Sequence, residues 1–152
     1  MHSLIVQISD KPIEKCDYIE ASTFYEDNLN FADYVDDDVN PEDCLSRMHR
    51  LLDGIFECNG RELTFKGCDD FVKEWITHLK DEASKIDMEA AKDWMCFWNI
   101  KRICEKTHIG CDVRVTNGGE YPDTFGNFIH DRFVWSKPGD KFYIGGFVDY
   151  HF

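Results

Sequence analysis

Residues 3–9 read SLIVQIS, and this nearly continuous apolar run is the segment that decides the fold. The β-branched residues Ile5, Val6 and Ile8 favour an extended strand. A strand that is apolar at consecutive positions is covered on both faces, unlike the alternating strand of a half-solvated sheet. The run therefore predicts a central strand, and the sheet around it requires a packed partner layer.

The C-terminal residues predict a β-rich end to the chain. Residues 111–116 and 132–136 are typical of strands, and the turn Lys137-Pro138-Gly139-Asp140 leads into a last strand over 141–152. Gly145-Gly146 in that strand predicts a bulge or bend. The alternation predicts one apolar face, formed by Phe142, Ile144, Gly146, Val148, Tyr150 and Phe152.

Helix signals precede three amphipathic stretches. Asn40 can cap a helix that has Pro41 at its first position, and Asn59-Gly60 beyond it predicts a two-residue hairpin turn. A second helix is expected from Asp69 or Asp70, with one side formed by Phe71, Val72, Trp75, Ile76, Leu79 and Ala83. Asp87 can cap a third helix, residues 88–108, whose apolar residues spread so widely that it is expected to be the most buried.

These elements predict the α+β class: an antiparallel or mixed sheet with about three packed helices. The length, 152 residues, suits a single domain spanning 1–152. Residues 16–46 are expected to be an acidic, largely irregular segment of that domain, because no sustained period runs through residues 11–40.

Charge is the outlier of the composition. The 17 basic and 30 acidic residues give a net charge of −13, and residues 1–60 alone contribute −10, from 14 acidic and 4 basic side chains. Nonspecific binding to nucleic acid or to an anionic membrane is therefore disfavoured, and a basic protein is the favoured partner. The seven cysteines are an odd number without a C-x-x-C pair, which is typical of reduced thiols in the cytoplasm.

The acid is concentrated between Lys15 and Arg47, where no Lys or Arg occurs. Five aromatic residues lie among ten carboxylates: Asp17, Glu20, Glu26, Asp27, Asp33, Asp36, Asp37, Asp38, Glu42 and Asp43. Rings supply rigid contact area and carboxylates steer a basic partner, so this pattern predicts a protein-binding surface. The predicted partner-binding residues are Tyr25, Glu26, Asp27, Phe31, Asp33, Tyr34, Asp36, Asp37, Asp38, Glu42 and Asp43.

Metal sites are weakly supported, and no metal or other cofactor is predicted. Asp36, Asp38, Asn40 and Glu42 resemble the start of a calcium loop, but Pro41 and Arg47 replace its required Gly and bidentate Glu. Cys104, His108 and Cys111 have a spacing that could begin a zinc site, but the preferred explanation is a core thiol, a helix-terminal histidine and a strand start.

No known catalytic motif occurs, and an enzyme is the second hypothesis. Its pocket would form at the 117–132 loop, where Asn127, His130, Asp131 and Arg132 are the best polar cluster. The alternative for that cluster is a loop that re-enters a strand. A third hypothesis is a regulatory or structural module whose acidity serves only solubility.

The first hypothesis is a non-enzymatic inhibitor that docks residues 17–43 on a basic nucleic-acid-binding protein such as a nuclease. In composition the chain resembles anti-restriction and anti-CRISPR proteins of phages and mobile elements, and acidic immunity proteins that neutralise nuclease toxins. That resemblance implies nucleic-acid mimicry, because regularly spaced carboxylates can occupy a groove built for phosphates. Reversing Asp36, Asp37 and Asp38 to Lys should then abolish binding while leaving the fold intact.

Overall fold

The computed structural model describes residues 2–25, 34–96, 98, 110–118 and 121–151. These residues form one mixed sheet of seven strands, with helices packed on it. The strands are β1 (His2–Ser9), β2 (Tyr34–Asp36), β3 (Phe56–Asn59), β4 (Glu62–Phe65), β5 (Val113–Thr116), β6 (Asp123–Thr124) and β7 (Lys141–His151). The helices are α1 (Ser22–Tyr25), α2 (Pro41–Leu52), α3 (Asp69–Ser84) and α4 (Phe125–Trp135). The predicted α+β class is confirmed.

The predicted central strand is β1. The strand order is β3-β4-β7-β1-β5-β6, so β1 is paired on both sides. It runs parallel to β5 and antiparallel to β7, with Leu4 opposite Val113 and also opposite Asp149. The short strand β2 pairs with the C-terminal end of β7, on the same edge where β4 pairs with its beginning. Sequence analysis did not predict β2, which has only three residues.

Helices α2, α3 and α4 cover one face of the sheet, called here the helix face. Leu4, Val6 and Ile8 of β1 point to this face and pack with Met48 and Leu52 of α2, among other buried residues. The ring of Phe56 lies 5.3 Å from that of Phe65 and 5.8 Å from that of Phe142, measured between centroids. The helix face therefore contains the larger core.

The opposite face, called here the segment face, is covered by the N-terminal acidic segment instead of by long helices. Ile5 of β1 packs there with Ile19, Ala21, Phe24 and Val35, and with Val148 and Tyr150 of β7. Phe24 is buried, so it cannot serve as a contact ring on the acidic surface. The run SLIVQIS is apolar at consecutive positions because each of its faces meets a different core.

The predicted bulge at Gly145-Gly146 is confirmed, and it changes the faces of β7. The β1–β7 register shifts between Val6, opposite Phe147, and Ile8, opposite Ile144. An advance of three residues along β7 thus corresponds to two residues along β1. The extra residue changes which side chains of β7 point to each face of the sheet. The predicted single apolar face is wrong: Phe142 and Ile144 lie on the helix face, whereas Val148 and Tyr150 lie on the segment face.

The predicted strand over 132–136 is also wrong, because residues 125–135 form helix α4. The Thr124 side chain caps this helix by accepting a hydrogen bond from the amide of Asn127, 3.1 Å away. Phe125 and Ile129, one helical turn apart, are both buried against the sheet. Burial on this helical stripe outweighs the strand preference of Phe133, Val134 and Trp135.

Where the third predicted helix should begin, the chain forms a short 3₁₀ turn, Ala90–Lys92. The Asp87 side chain does cap it, accepting from the amides of Glu89 and Ala90. The expectation of deep burial is wrong at Trp94 and Met88, which are 86% and 84% exposed, whereas Cys96 is buried. Positions 97 and 99–108 of that prediction lie outside the described residues.

The first helix and the hairpin are confirmed with one adjustment. Asn40 caps α2 by accepting from the amides of Glu42 and Asp43, and Pro41 is its first residue. In the hairpin, Asn59 pairs with Glu62, so the turn is formed by Gly60 and Arg61, one residue later than predicted. Gly60 has a φ of 59°, the left-handed conformation that favours glycine.

Within the described helices, none is both long and apolar enough to span a bilayer.

Candidate functional site

Only some of the predicted partner-binding residues lie in the described part of the chain. Glu26, Asp27, Phe31 and Asp33 lie outside the described residues, as does the side chain of Tyr25 at the end of α1. The remaining predicted residues run from β2 to the first turn of α2: Tyr34, Asp36, Asp37, Asp38, Glu42 and Asp43.

A buried glutamine holds the start of the acidic segment against the sheet. The Gln7 side-chain oxygen accepts from the amides of Ile19, 3.1 Å away, and Gly146, 3.0 Å away. Its side-chain nitrogen donates to the carbonyl of Asp17 at 3.1 Å. Gln7 therefore links three separate parts of the backbone. Sequence analysis missed this role, although a lone amide inside the run SLIVQIS was the available signal.

The bulge glycine makes room for the same segment. A side-chain carbon added at Gly146 would lie 2.5 Å from the carbonyl oxygen of Ile19 and 2.8 Å from its nitrogen. Real contacts of this kind essentially never occur so close, so Gly146 is required by backbone approach. The segment from Asp17 to Phe24 is thus fitted to the bulge in β7.

The carboxylates between β2 and α2 have unequal roles. Asp37 accepts from the amide of Ala21 at 2.6 Å, which ties the two ends of the acidic segment together. Asp36 accepts from the amide of Asp38 at 2.9 Å and shapes the turn, and Asn40 then caps α2. These bonds explain the alternation that resembles a calcium loop as a turn followed by a helix cap.

Four carboxylates remain directed at solvent in this region, together called the acidic surface: Glu20, Asp38, Glu42 and Asp43, all exposed. The bond between Asp37 and Ala21 brings Glu20 to the same part of the molecule as Asp38. Within the described part of the chain these four side chains form no ion pair. Arg47, the first cation after Lys15, is paired with Asp112 instead. The negative field at this surface is therefore not neutralised by the described cations.

One aromatic ring stands beside these acids. Tyr34 is 45% exposed and stacks on His151 of β7, with ring centroids 4.1 Å apart and an interplanar angle of 15°. The Tyr34 hydroxyl lies 2.8 Å from Nε2 of His151, which is 3.3 Å from a carboxylate oxygen of Asp149. The ring is fixed by these contacts and still presents area to solvent, as a contact residue should.

Arg61 fills the gap that β2 and β4 leave along the edge of β7. Its guanidinium donates to the carbonyls of Ile144, at 3.3 Å, and Gly145. The same group lies 4.8 Å from the ring centroid of Tyr18 and 5.4 Å from that of Phe147. Arg61 thus joins the acidic segment to the bulge: it lies against the ring of Tyr18 and donates to the backbone of β7. No sequence pattern indicated this role.

The described cysteines are free thiols, and none belongs to a group of three His, Cys, Asp or Glu side chains able to hold a metal within the described ranges. Burial raises the pKa of the Cys44 thiol, the nearby Arg47 lowers it, and Asp43 and Asp149 raise it. Cys104 and His108 of the weighed zinc site lie outside the described residues, and Cys111 is exposed.

The polar cluster of the second hypothesis lies on helix α4, not on a loop that re-enters a strand. Asn127 donates to a carboxylate oxygen of Asp123 at 2.7 Å, and His130 is exposed. Asp131 and Arg132 line a cavity at the ends of β1 and β5. The predicted 117–132 region therefore does border a cavity, although its residues are arranged by a helix.

Comparisons with protein-family models, with curated proteins and with solved structures found no match to this chain.

Proposed function

We propose that the protein is a small acidic inhibitor that binds a basic, nucleic-acid-binding protein, such as a nuclease, through the acidic surface and Tyr34. The observation that carries this proposal is the set of exposed carboxylates, Glu20, Asp38, Glu42 and Asp43, without ion pairs among the described residues. Uncompensated charge of one sign attracts a partner of the other sign and accelerates association.

The surrounding contacts support a surface that is organised before binding. Gln7, Asp37 and Asn40 each fix the backbone beside an exposed carboxylate. A surface fixed in the free protein loses less conformational entropy when it binds, so more of the contact energy appears as affinity. In the reducing cytoplasm proposed as its location, the free thiols would remain reduced.

We propose further that the acidic surface mimics nucleic acid, so that it occupies the phosphate-binding groove of its partner. Carboxylates from the turn and from the first turn of α2 stand close together along the chain, at positions 38, 42 and 43. A phosphate-binding groove is lined with Lys and Arg, which pair well with such carboxylates. Direct binding to nucleic acid or to an anionic membrane is not part of the proposal, since a charge of −13 repels both.

The test neutralises the outward carboxylates and leaves the structural ones in place. The triple Lys reversal at 36–38 is unsuitable, because the carboxylate of Asp37 holds the amide of Ala21. The informative variant is Asp38→Asn, Glu42→Gln and Asp43→Asn, whose side chains are exposed. A matched control, Glu14→Gln, Glu57→Gln and Asp81→Asn, removes the same charge from exposed positions elsewhere.

Both variants and the wild type are used as bait in lysate of the source cell at low and raised salt. We expect the wild type and the control to retain the same basic nucleic-acid-binding protein, released by salt and by added duplex DNA, and the acidic-surface variant to lose it. Equal retention by both variants, or capture that duplex DNA cannot displace, would contradict the proposal.

A further inference from the structure

A cavity of about 370 Å³ lies at the end of the sheet where β1 and β5 finish. These two strands are parallel neighbours, so their carboxyl ends meet at this place. Ligand sites in sheets with parallel strands favour the crevice beyond such carboxyl ends. Asp36, at the start of the turn that carries Asp38, is level with Leu4 of β1, about 16 Å along the strand from Ser9 at 3.3 Å per residue. The floor of the cavity belongs to the helix face, whereas Ile19, next to Glu20, belongs to the segment face.

The cavity has an apolar floor and a polar rim. The floor is formed by Ile8, Val115, Phe128 and Phe142, which belong to the helix-face core or pack against it. The rim includes the carboxylates of Asp10 and Asp131, both exposed. Asp123 also lines the cavity, but one of its oxygens is already bonded to Asn127 and to the amide of Thr124.

Among the described residues that line this cavity, Arg132 is the one Lys or Arg. Its guanidinium lies 4.8 Å from the ring centroid of Phe142 and 5.4 Å from that of Phe128. Rings occupy the faces of a guanidinium and leave its N–H groups, at the edge, for hydrogen bonds. Among the described residues Arg132 has no ion pair, and its Nε is buried without an acceptor.

An unpaired guanidinium beside carboxylates restricts what can bind. A carboxylate in the cavity would receive charge-assisted hydrogen bonds from the terminal nitrogens of Arg132, since its Nε is buried. A simple anion would be repelled by Asp10 and Asp131, whereas a simple cation would leave Arg132 unpaired. A ligand that carries both a negative and a positive charge can pair with Arg132 and with the two aspartates. An apolar part of the same ligand can contact the floor of the cavity.

We propose that this cavity binds a small zwitterion of the α-amino-acid class with an apolar side chain. Arg132 holds its carboxylate, Asp10 and Asp131 hold its ammonium group, and Phe128 with Ile8 contacts the side chain. The volume is at the lower end of the range for small-molecule sites, which suits a single amino acid.

The test compares whole ligands with their halves. Binding is measured by calorimetry with L-phenylalanine, L-leucine, 3-phenylpropanoate and 2-phenylethylamine, and backbone NMR shifts of Ser9, Thr116 and Asn117 locate it. We expect a zwitterion to bind at least about tenfold more tightly than either half ligand and to shift these three amides. Absence of binding by both amino acids, or equally tight binding of a half ligand, would overturn the proposal.

Variants assign the two ends of the ligand. Asp10→Asn with Asp131→Asn changes only exposed side chains, and should weaken zwitterion binding at least about tenfold while leaving 3-phenylpropanoate binding no weaker. Arg132→Gln should weaken the binding of both amino acids and of 3-phenylpropanoate; if this variant unfolds, the aspartate pair still decides the question. The variant Asp38→Asn/Glu42→Gln/Asp43→Asn should bind the amino acid normally, so failure of this proposal and failure of the proposed inhibitor function are distinguishable. Unchanged zwitterion affinity in the aspartate pair would contradict the assignment.

Discussion

The two faces of the sheet are covered by different means. On the helix face, α2, α3 and α4 bury a large aromatic core in which Phe56 meets Phe65, Phe128 and Phe142. On the segment face, a mostly irregular segment buries a few apolar side chains and is held by specific hydrogen bonds from Gln7 and Asp37. We conclude that the helix face carries most of the stability, and that the segment face fixes the position of the acidic surface.

The largest expected effect is on the helix face. Phe56→Ala removes a fully buried ring and should lower the free energy of unfolding by about 3–5 kcal/mol. Urea denaturation followed by circular dichroism measures the change, with the exposed substitution Glu57→Ala as control. A loss below about 1 kcal/mol would show that the helix-face core is not the main source of stability.

Gln7→Ala tests the segment face. It leaves the buried amides of Ile19 and Gly146 without their acceptor, so we expect a loss of at least about 2 kcal/mol. Hydrogen exchange should rise first in residues 17–24 and remain slow in residues 56–65, because only the segment is released. Uniform acceleration over both regions would mean that the two faces form one cooperative unit.

Gly146→Ala tests the fit between the bulge and the segment. The new side-chain carbon would collide with the backbone of Ile19, and we expect a loss of about 1–3 kcal/mol. The same exchange measurement should show faster exchange in residues 17–24. An alanine variant as stable as the wild type would contradict the close approach of these two backbones.

The smallest effect concerns the thiols. Burial raises the pKa of Cys58 and Cys68 on the helix face, as it does for Cys44. A raised pKa means a smaller thiolate fraction at any pH below it, so at pH 8 these thiols should react with iodoacetamide more slowly than the exposed Cys16 and Cys111. Mass spectrometry of partly labelled protein ranks the sites. Fastest labelling at Cys68 would contradict the packing of α3.

The sequence predicted two kinds of element correctly: a strand that is apolar at consecutive positions because both of its faces are buried, and a helix start that is fixed by its own capping residue. The run SLIVQIS predicted β1, and the cap at Asn40 predicted the start of α2. The bulge at Gly145-Gly146 was predicted too, but its effect on the faces of β7 was not, since that depends on which partner residues it opposes. The end of helix α4, residues 132–135, was mistaken for a strand because its aromatic and β-branched residues favour a strand until the sheet buries one helical stripe.

The sequence predicted the negative charge of the candidate site, but not the structural role of each of its side chains. The absence of Lys and Arg between residues 15 and 47 indicated a concentration of negative charge, and its role in partner binding stays a prediction. It could not show that Asp37 is a structural group or that Phe24 is buried, because both facts depend on contacts between distant parts of the chain. Arg132 was singled out as polar, but its place over Phe128 and Phe142 required the fold.

The strand β2 has a consequence for how copies of this protein meet one another. It pairs with β7, and Asp36 at its end is followed by Asp37 and Asp38, all three exposed. Two copies that approached each other through this part of the molecule would bring these carboxylates together without a described cation between them. The charges that favour a basic partner thereby also oppose contact between two copies through this surface.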